Sequence, residues 1–180
     1  MDYKQIQTSM ERIVGIISNN IDKEMKKNED YIEGQPFKLR FYHSTPIEFV
    51  NVVGKESVNQ KLPFFFVNSM LSSEGDGIWV IKDIVIATMS DKNWTREKRD
   101  AVNFKPILIP VLQEFLRILC FDRDLSVYRT GDTIFHYFYG ETGLKGYEAH
   151  KFTQSVDAIQ LKNFQFKMSR NCLTYKKIKL

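Results

Sequence analysis

Two carboxylates one residue apart, Asp122 and Asp124 on either side of Arg123, are the nearest approach to a catalytic motif in this sequence. Acids at that spacing can hold a divalent ion against phosphates in D-x-D sugar-nucleotide sites. No βαβ nucleotide-binding pattern precedes them here, so they read as a polar helix end or turn, and no metal is assigned. His43, His136 and His150 stand beside no Cys, Asp or Glu at ligand or H-E-x-x-H spacing and read as structural. Cys120 and Cys172 lie far apart and outside any C-x-x-C spacing. A reduced thiol pair is the simpler expectation, and a disulfide stays open. With no G-x-S-x-G elbow and no histidine near either thiol in sequence, no catalytic nucleophile and no cofactor are assigned.

Gly140-Glu141-Thr142-Gly143-Leu144-Lys145-Gly146 has the glycines of a phosphate cradle but neither the P-loop spacing nor its strand-to-helix setting, so a loop is expected. Phe135, Tyr137, Phe138 and Tyr139 form the densest aromatic cluster. Aromatics on a sheet can stack single-stranded bases, but the RNP signature is missing and core plus subunit interface is the expected use. Basic residues gather in the last third, at Lys162, Lys167, Arg170, Lys176, Lys177 and Lys179. They read as a solvated tail, Arg170 to Leu180, with contact to nucleic acid or an acidic partner as the alternative.

The chain that must position these groups has 180 residues, 43% of them hydrophobic and 13% aromatic, with a net charge of +4. That is the size of one domain with material for a core and for interfaces, and short of the concentrated positive stripe of a nucleic-acid binder. The polar start, Met1 to Gln5, predicts no signal peptide. No apolar run reaches about 18 residues, so no transmembrane helix and no membrane partner are expected.

Ile6, Met10, Ile13, Val14, Ile17, Ile21 and Met25 recur at spacings of three and four and predict an amphipathic helix from Tyr3 to Lys27. Phe37, Leu39 and Phe41 alternate with polar residues as in a strand, and Ile47 to Val53 is a second possible strand. Leu62 to Val67, with Phe64-Phe65-Phe66, reads as a central strand that pairs antiparallel with the long β-branched run Ile78 to Thr88. Between them Ser72-Ser73-Glu74-Gly75-Asp76-Gly77 predicts a hairpin-like, long loop. Asp91 or Thr95 can cap the next helix, which Pro106 and Pro110 should split or kink around Asn103 to Ile109. Leu125 to Tyr139 reads as a strand pair, or one bent strand, turning at Gly131-Asp132. Val156 to Met168 is the last strand, with a bulge near Lys162-Asn163 to bring Phe164, Phe166 and Met168 into phase with Ile159 and Leu161. The class is α+β: a mostly antiparallel sheet with an N-terminal helix and a Pro-containing central helix packed on it.

Ile84-Val85-Ile86-Ala87-Thr88 leads into Ser90-Asp91-Lys92-Asn93-Trp94-Thr95-Arg96-Glu97. Phe104-Lys105-Pro106-Ile107-Leu108, Pro110 and Glu114-Phe115-Leu116-Arg117 come next, and Val156 to Asn163 forms the closing strand. On these segments the chain resembles the tail-terminator and neck-ring proteins of tailed double-stranded DNA bacteriophages, particularly those infecting Bacteroidetes. The resemblance follows the order of elements over nearly the whole chain and carries no catalytic signature. It implies a structural virion protein, not an enzyme, made in the host cytoplasm. It also implies rings of six or, in some podovirus necks, twelve copies that join the head connector to the tail and leave a channel through which DNA passes without specific recognition. Partners would be copies of itself and neighbouring connector, neck or tail proteins. Ring contacts are expected from the loop Ser72, Ser73, Glu74, Gly75, Asp76 and Gly77, from the loop Gly140, Glu141, Thr142, Gly143, Leu144 and Lys145, and from the tail residues Arg170, Lys176, Lys177 and Lys179. A nucleic-acid-binding module using the basic C-terminal segment is the alternative.

Overall fold

The computed structural model describes residues 3–27, 37–46, 48–49, 63–122, 124–139 and 155–168. It is α+β, with the long helices on one face of a mixed seven-stranded sheet. Helix α1 (Tyr3–Met25) forms where the three- and four-residue spacing predicts, burying Ile6, Met10, Ile13, Val14, Ile17 and Ile21. Each such side chain contributes roughly 1.5–3 kcal/mol by leaving water. The chain returns along the helix, where Asp22 Oδ1 accepts from the Phe37 amide and Ser18 Oγ from the Leu39 amide.

Strand β1 (Arg40–Ser44) starts three residues after Phe37, because those amide bonds to α1 hold residues 37–39 outside the ladder. The expected strand Ile47 to Val53 is corrected at its start: Pro46, Glu48 and Phe49 are helical, and 50–53 lie outside the described residues. The reason is a capping box. Thr45 Oγ1 accepts from the Glu48 amide, and Glu48 returns a carboxylate to the Thr45 amide at 2.9 Å.

β2 (Phe64–Asn68) is wholly buried and lies parallel to β1 and antiparallel to β4 (Ile78–Met89). β3 (Leu71–Gly75) corrects the expected long loop, since Leu71 to Gly75 also pair with β4 and only Asp76-Gly77 turn. Both turn residues have positive φ, 46° and 73°, as a tight primed hairpin turn requires. Of the two candidate caps Thr95 is the N-cap of α2 (Arg96–Arg99), while Asp91 instead closes a turn onto the Asn93 amide. The prolines do not split the central helix. α2 runs into a π-helical segment (Asp100–Leu108) and on into α3 (Ile109–Phe121) with helical backbone throughout. Pro106 has no N–H and its ring would strike the carbonyl four residues back in an α-helix. The wider π turn accommodates it, and the Ile109 amide reaches the Phe104 carbonyl.

β5 (Leu125–Arg129) and β6 (Asp132–His136) both pair antiparallel with β7 (Val156–Met168). Gly131 is thus a break within one bent lane, and the strand expected to reach Tyr139 ends at His136. The lanes run β1, β2 with β3, β4, β7, then β5 with β6. α1 and α3 cover one face with Phe65, Ile84, Ile86, Ile159 and Leu161; Phe49, Phe64, Phe66, Val85, Ala87 and Val156 form a smaller cluster on the other.

One irregularity crosses four lanes at the same level. Ser69-Met70 separate β2 from β3, and Thr130-Gly131 separate β5 from β6. On the two long central strands Lys82 and Asn163 drop out of the ladder, while the register on either side stays the same. Ile81 and Ile84, and likewise Leu161 and Phe164, are three apart yet enter one core, so each strand carries one extra residue. The bulge expected at Asn163, where φ is 54°, therefore has a partner in β4 that side-chain alternation alone does not show.

Candidate assembly interface and the polar networks behind it

The richest polar cluster sits where the helix leaves β4. Arg99, 1% exposed, pairs with the wholly buried Asp157 of β7 at 2.6 Å. Its guanidinium also donates to Ser90 Oγ at 2.5 Å, Ser155 Oγ at 3.3 Å and the Trp94 and Asp91 carbonyls. The second Asp157 oxygen accepts from Asn103 Nδ2 at 2.7 Å, and the same amide nitrogen donates to the Met89 carbonyl. Phe138, at φ 66°, lays its ring 3.8 Å from the guanidinium carbon. Every strong donor and acceptor here is matched from within the chain. The cluster pins the β4–α2 connection to β7.

A second chain of polar side chains crosses the opposite sheet face. Asn68 and Gln160 donate to the two oxygens of Asp83, at 3.3 and 2.8 Å. The Gln160 amide nitrogen being used, its oxygen accepts, so the 2.8 Å contact is a donation from His136 Nε2. Burial first, then the nearby Lys162 charge, push the His136 pKa below its ordinary value, while the Gln160 bond opposes them. Burial and then the Asp83 charge push the Tyr139 phenol upward. A third group joins Arg96 Nε to the Tyr137 hydroxyl at 3.2 Å, and that hydroxyl to Asp100 Oδ1 at 2.8 Å.

The Asp122–Asp124 pair is a turn, as expected. Asp122 Oδ1 accepts from the Asp124 and Leu125 amides, and Oδ2 pairs with Arg12 at 2.6 Å. Burial raises the Asp122 pKa, and the Arg12 and amide bonds more than reverse that, so it lies below the ordinary value. His43 stacks on Phe41, with ring centroids 6.3 Å apart; His150 and Cys172 lie outside the described residues. Among the described residues no cluster of three or more His, Cys, Asp or Glu is placed to hold a metal ion, and no helix is long and apolar enough to cross a membrane.

Of the expected ring contacts, Ser72 to Gly75 lie on β3 and Asp76-Gly77 at its turn, with Ser72, Ser73, Asp76 and Gly77 exposed. Gly140 to Lys145 and Arg170, Lys176, Lys177 and Lys179 lie outside the described residues. The structure adds the outer lane β5–β6, which among the described residues pairs with β7 alone. Tyr128 and Phe135 stand on it 55% and 48% exposed, and Phe121 nearby in the chain is 82% exposed. Phe135 leans on Phe104 of the helix, with centroids 5.8 Å apart. Its aromatic cluster was visible in sequence; its place at an open edge depends on β7 being central, which only long-range pairing decides. No family model, curated protein or solved structure matches this chain.

Proposed function

We propose that this chain is a structural subunit of a tailed-bacteriophage virion, a tail terminator or neck ring. Copies would close into a ring between the head connector and the tail, around the DNA channel. The observation that carries the reading is the outer lane, which among the described residues pairs with β7 alone and shows half-exposed Tyr128 and Phe135, beside polar clusters whose hydrogen bonds are spent on the fold itself. An open edge with exposed aromatics invites another chain. The resemblance from Ile84 to Arg117 supports the same reading. Those residues build most of β4, its capped exit and the helix on the sheet, beside which the β3–β4 hairpin holds its exposed serines for a neighbouring tier.

The test is the mass of the purified protein by light scattering, with negative-stain imaging of the same fraction. Closed rings support the proposal and give the symmetry. A monomer that neither self-associates nor binds purified connector would overturn it. Ser72→Lys with Ser73→Lys should leave the subunit folded and weaken joining of the ring to its neighbour; unchanged joining removes the hairpin from the interface.

A further inference from the structure

The geometry points to the partner of the open β6 edge: it is β1 of a second copy of this chain, laid antiparallel so that the sheet continues from subunit to subunit. This rests on the ring reading above and specifies its contact. Each of the two strands is five residues long and, among the described residues, is an outer lane of the sheet.

They also lie at the same level. Through the pairing across the sheet, Phe41 is level with Phe65, Ile86, Ile159 and Phe135. By the same ladder Arg40 is level with His136, and Tyr42 with Ile134. β1 runs with β2 and β2 against β4; β4 runs against β7, and β7 against β6. β1 and β6 are therefore antiparallel to each other, the sense in which two short edges pair by regular, paired hydrogen bonds.

A head-to-tail neighbour placed at this level sets Phe41 beside Phe135 and Ser44 beside Asp132. Phe41 and Phe135 both belong to the helix-covered face, where Phe41 packs on the main core and Phe135 on Phe104. The aromatic row Phe41–Phe65 thus continues into the next subunit with matching faces, whereas a slip of one residue would turn each side chain to the wrong face. Such a contact is heterologous and closes into a ring where the rotation per subunit allows.

The experiment is disulfide trapping with Cys120 and Cys172 both replaced by serine. Phe41→Cys with Phe135→Cys is one pair and Ser44→Cys with Asp132→Cys the second, so that a folding failure at the half-buried phenylalanines does not decide the matter. Opposed residues in an antiparallel ladder stand at disulfide distance. Reducible species longer than a dimer in the double variants, absent from each single variant, support the edge-to-edge contact. Rings that persist without such species keep the ring reading and overturn this contact. A reducible dimer from Phe135→Cys alone overturns it in favour of two-fold pairing of β6 with itself. A monomer under all conditions overturns both.

Discussion

Asp157 stands in phase with Ile159 and Leu161 on β7, at a position where strand alternation points into the core. An acid there demands a cation, and Arg99 supplies it at 2.6 Å with both side chains out of water. Asp157→Leu alone should cost about 3–5 kcal/mol in urea unfolding, because it strands a buried guanidinium. Adding Arg99→Met should recover much of that loss; additive costs would show that the two do not act as a pair. His136 makes a pH prediction. Its pKa is held below the ordinary value in the fold, so on acidification the unfolded chain takes the proton first, near pH ~6.5. Its contribution is complete above that pH and is lost as pH falls toward the lower native pKa. His43 shifts in the same direction, by burial. The window lies above that of Asp122, whose lowered pKa puts its loss below about pH 4. His136→Gln should flatten the unfolding midpoint below neutrality relative to the parent.

Two glycines separate conformation from space at the level of elements. Gly77 and Gly131 have φ of 73° and 67°, but a Cβ meets nothing within 4 Å at Gly77 and would lie 1.9 Å from the Lys162 carbonyl oxygen at Gly131. Gly77→Ala should cost about 1–2 kcal/mol, the left-handed penalty alone. Gly131→Ala should cost clearly more and loosen β5–β6 from β7, measured by amide exchange in those strands. Thr95→Ala, which removes the N-cap, should cost about 1 kcal/mol. α1 was legible because its three- and four-residue period survives in one dimension, and β2 and β4 because short apolar and β-branched runs read as strands without any alternation. The Asn163 bulge showed as a change of phase between Leu161 and Phe164. Its counterpart at Lys82 was hidden inside a run apolar on both sides, Ile78 to Ala87, where burial on two faces erases the alternation. The hairpin was expected but the strand β3 within it was missed, because glycine and serine composition outweighed pairing with β4. Arg99 was hidden among five charged residues in a row, and only Asp157, out of place by polarity, pointed to a buried cation.

Across the whole molecule the charged and polar clusters fasten layers together, while three of the exposed large apolar side chains stand on the outer lane, Tyr128 and Phe135, and at the end of α3, Phe121. Phe121, 82% exposed, contributes almost nothing to the fold by that measure. Phe121→Ser should leave the unfolding free energy within about 0.5 kcal/mol, and any fall in assembly mass would then report an interface. The candidate contacts were less legible than the fold, since which edge stays open depends on the lane order and not on any local motif.

That lane order also sets a schedule for synthesis. β7 pairs along nearly its full length with β4, and among the described residues it alone joins β5 and β6 to the sheet, yet it comes after all of them in the chain. A nascent chain halted before Val156 presents the ribosome's surroundings with a twelve-residue, mostly apolar β4 that lacks its β7 neighbour. At elongation rates of about 5–20 residues per second, that exposure lasts until β7 clears the exit tunnel. Stalled chains ending there should be held by chaperones or digested readily, and chains stalled beyond β7 should resist.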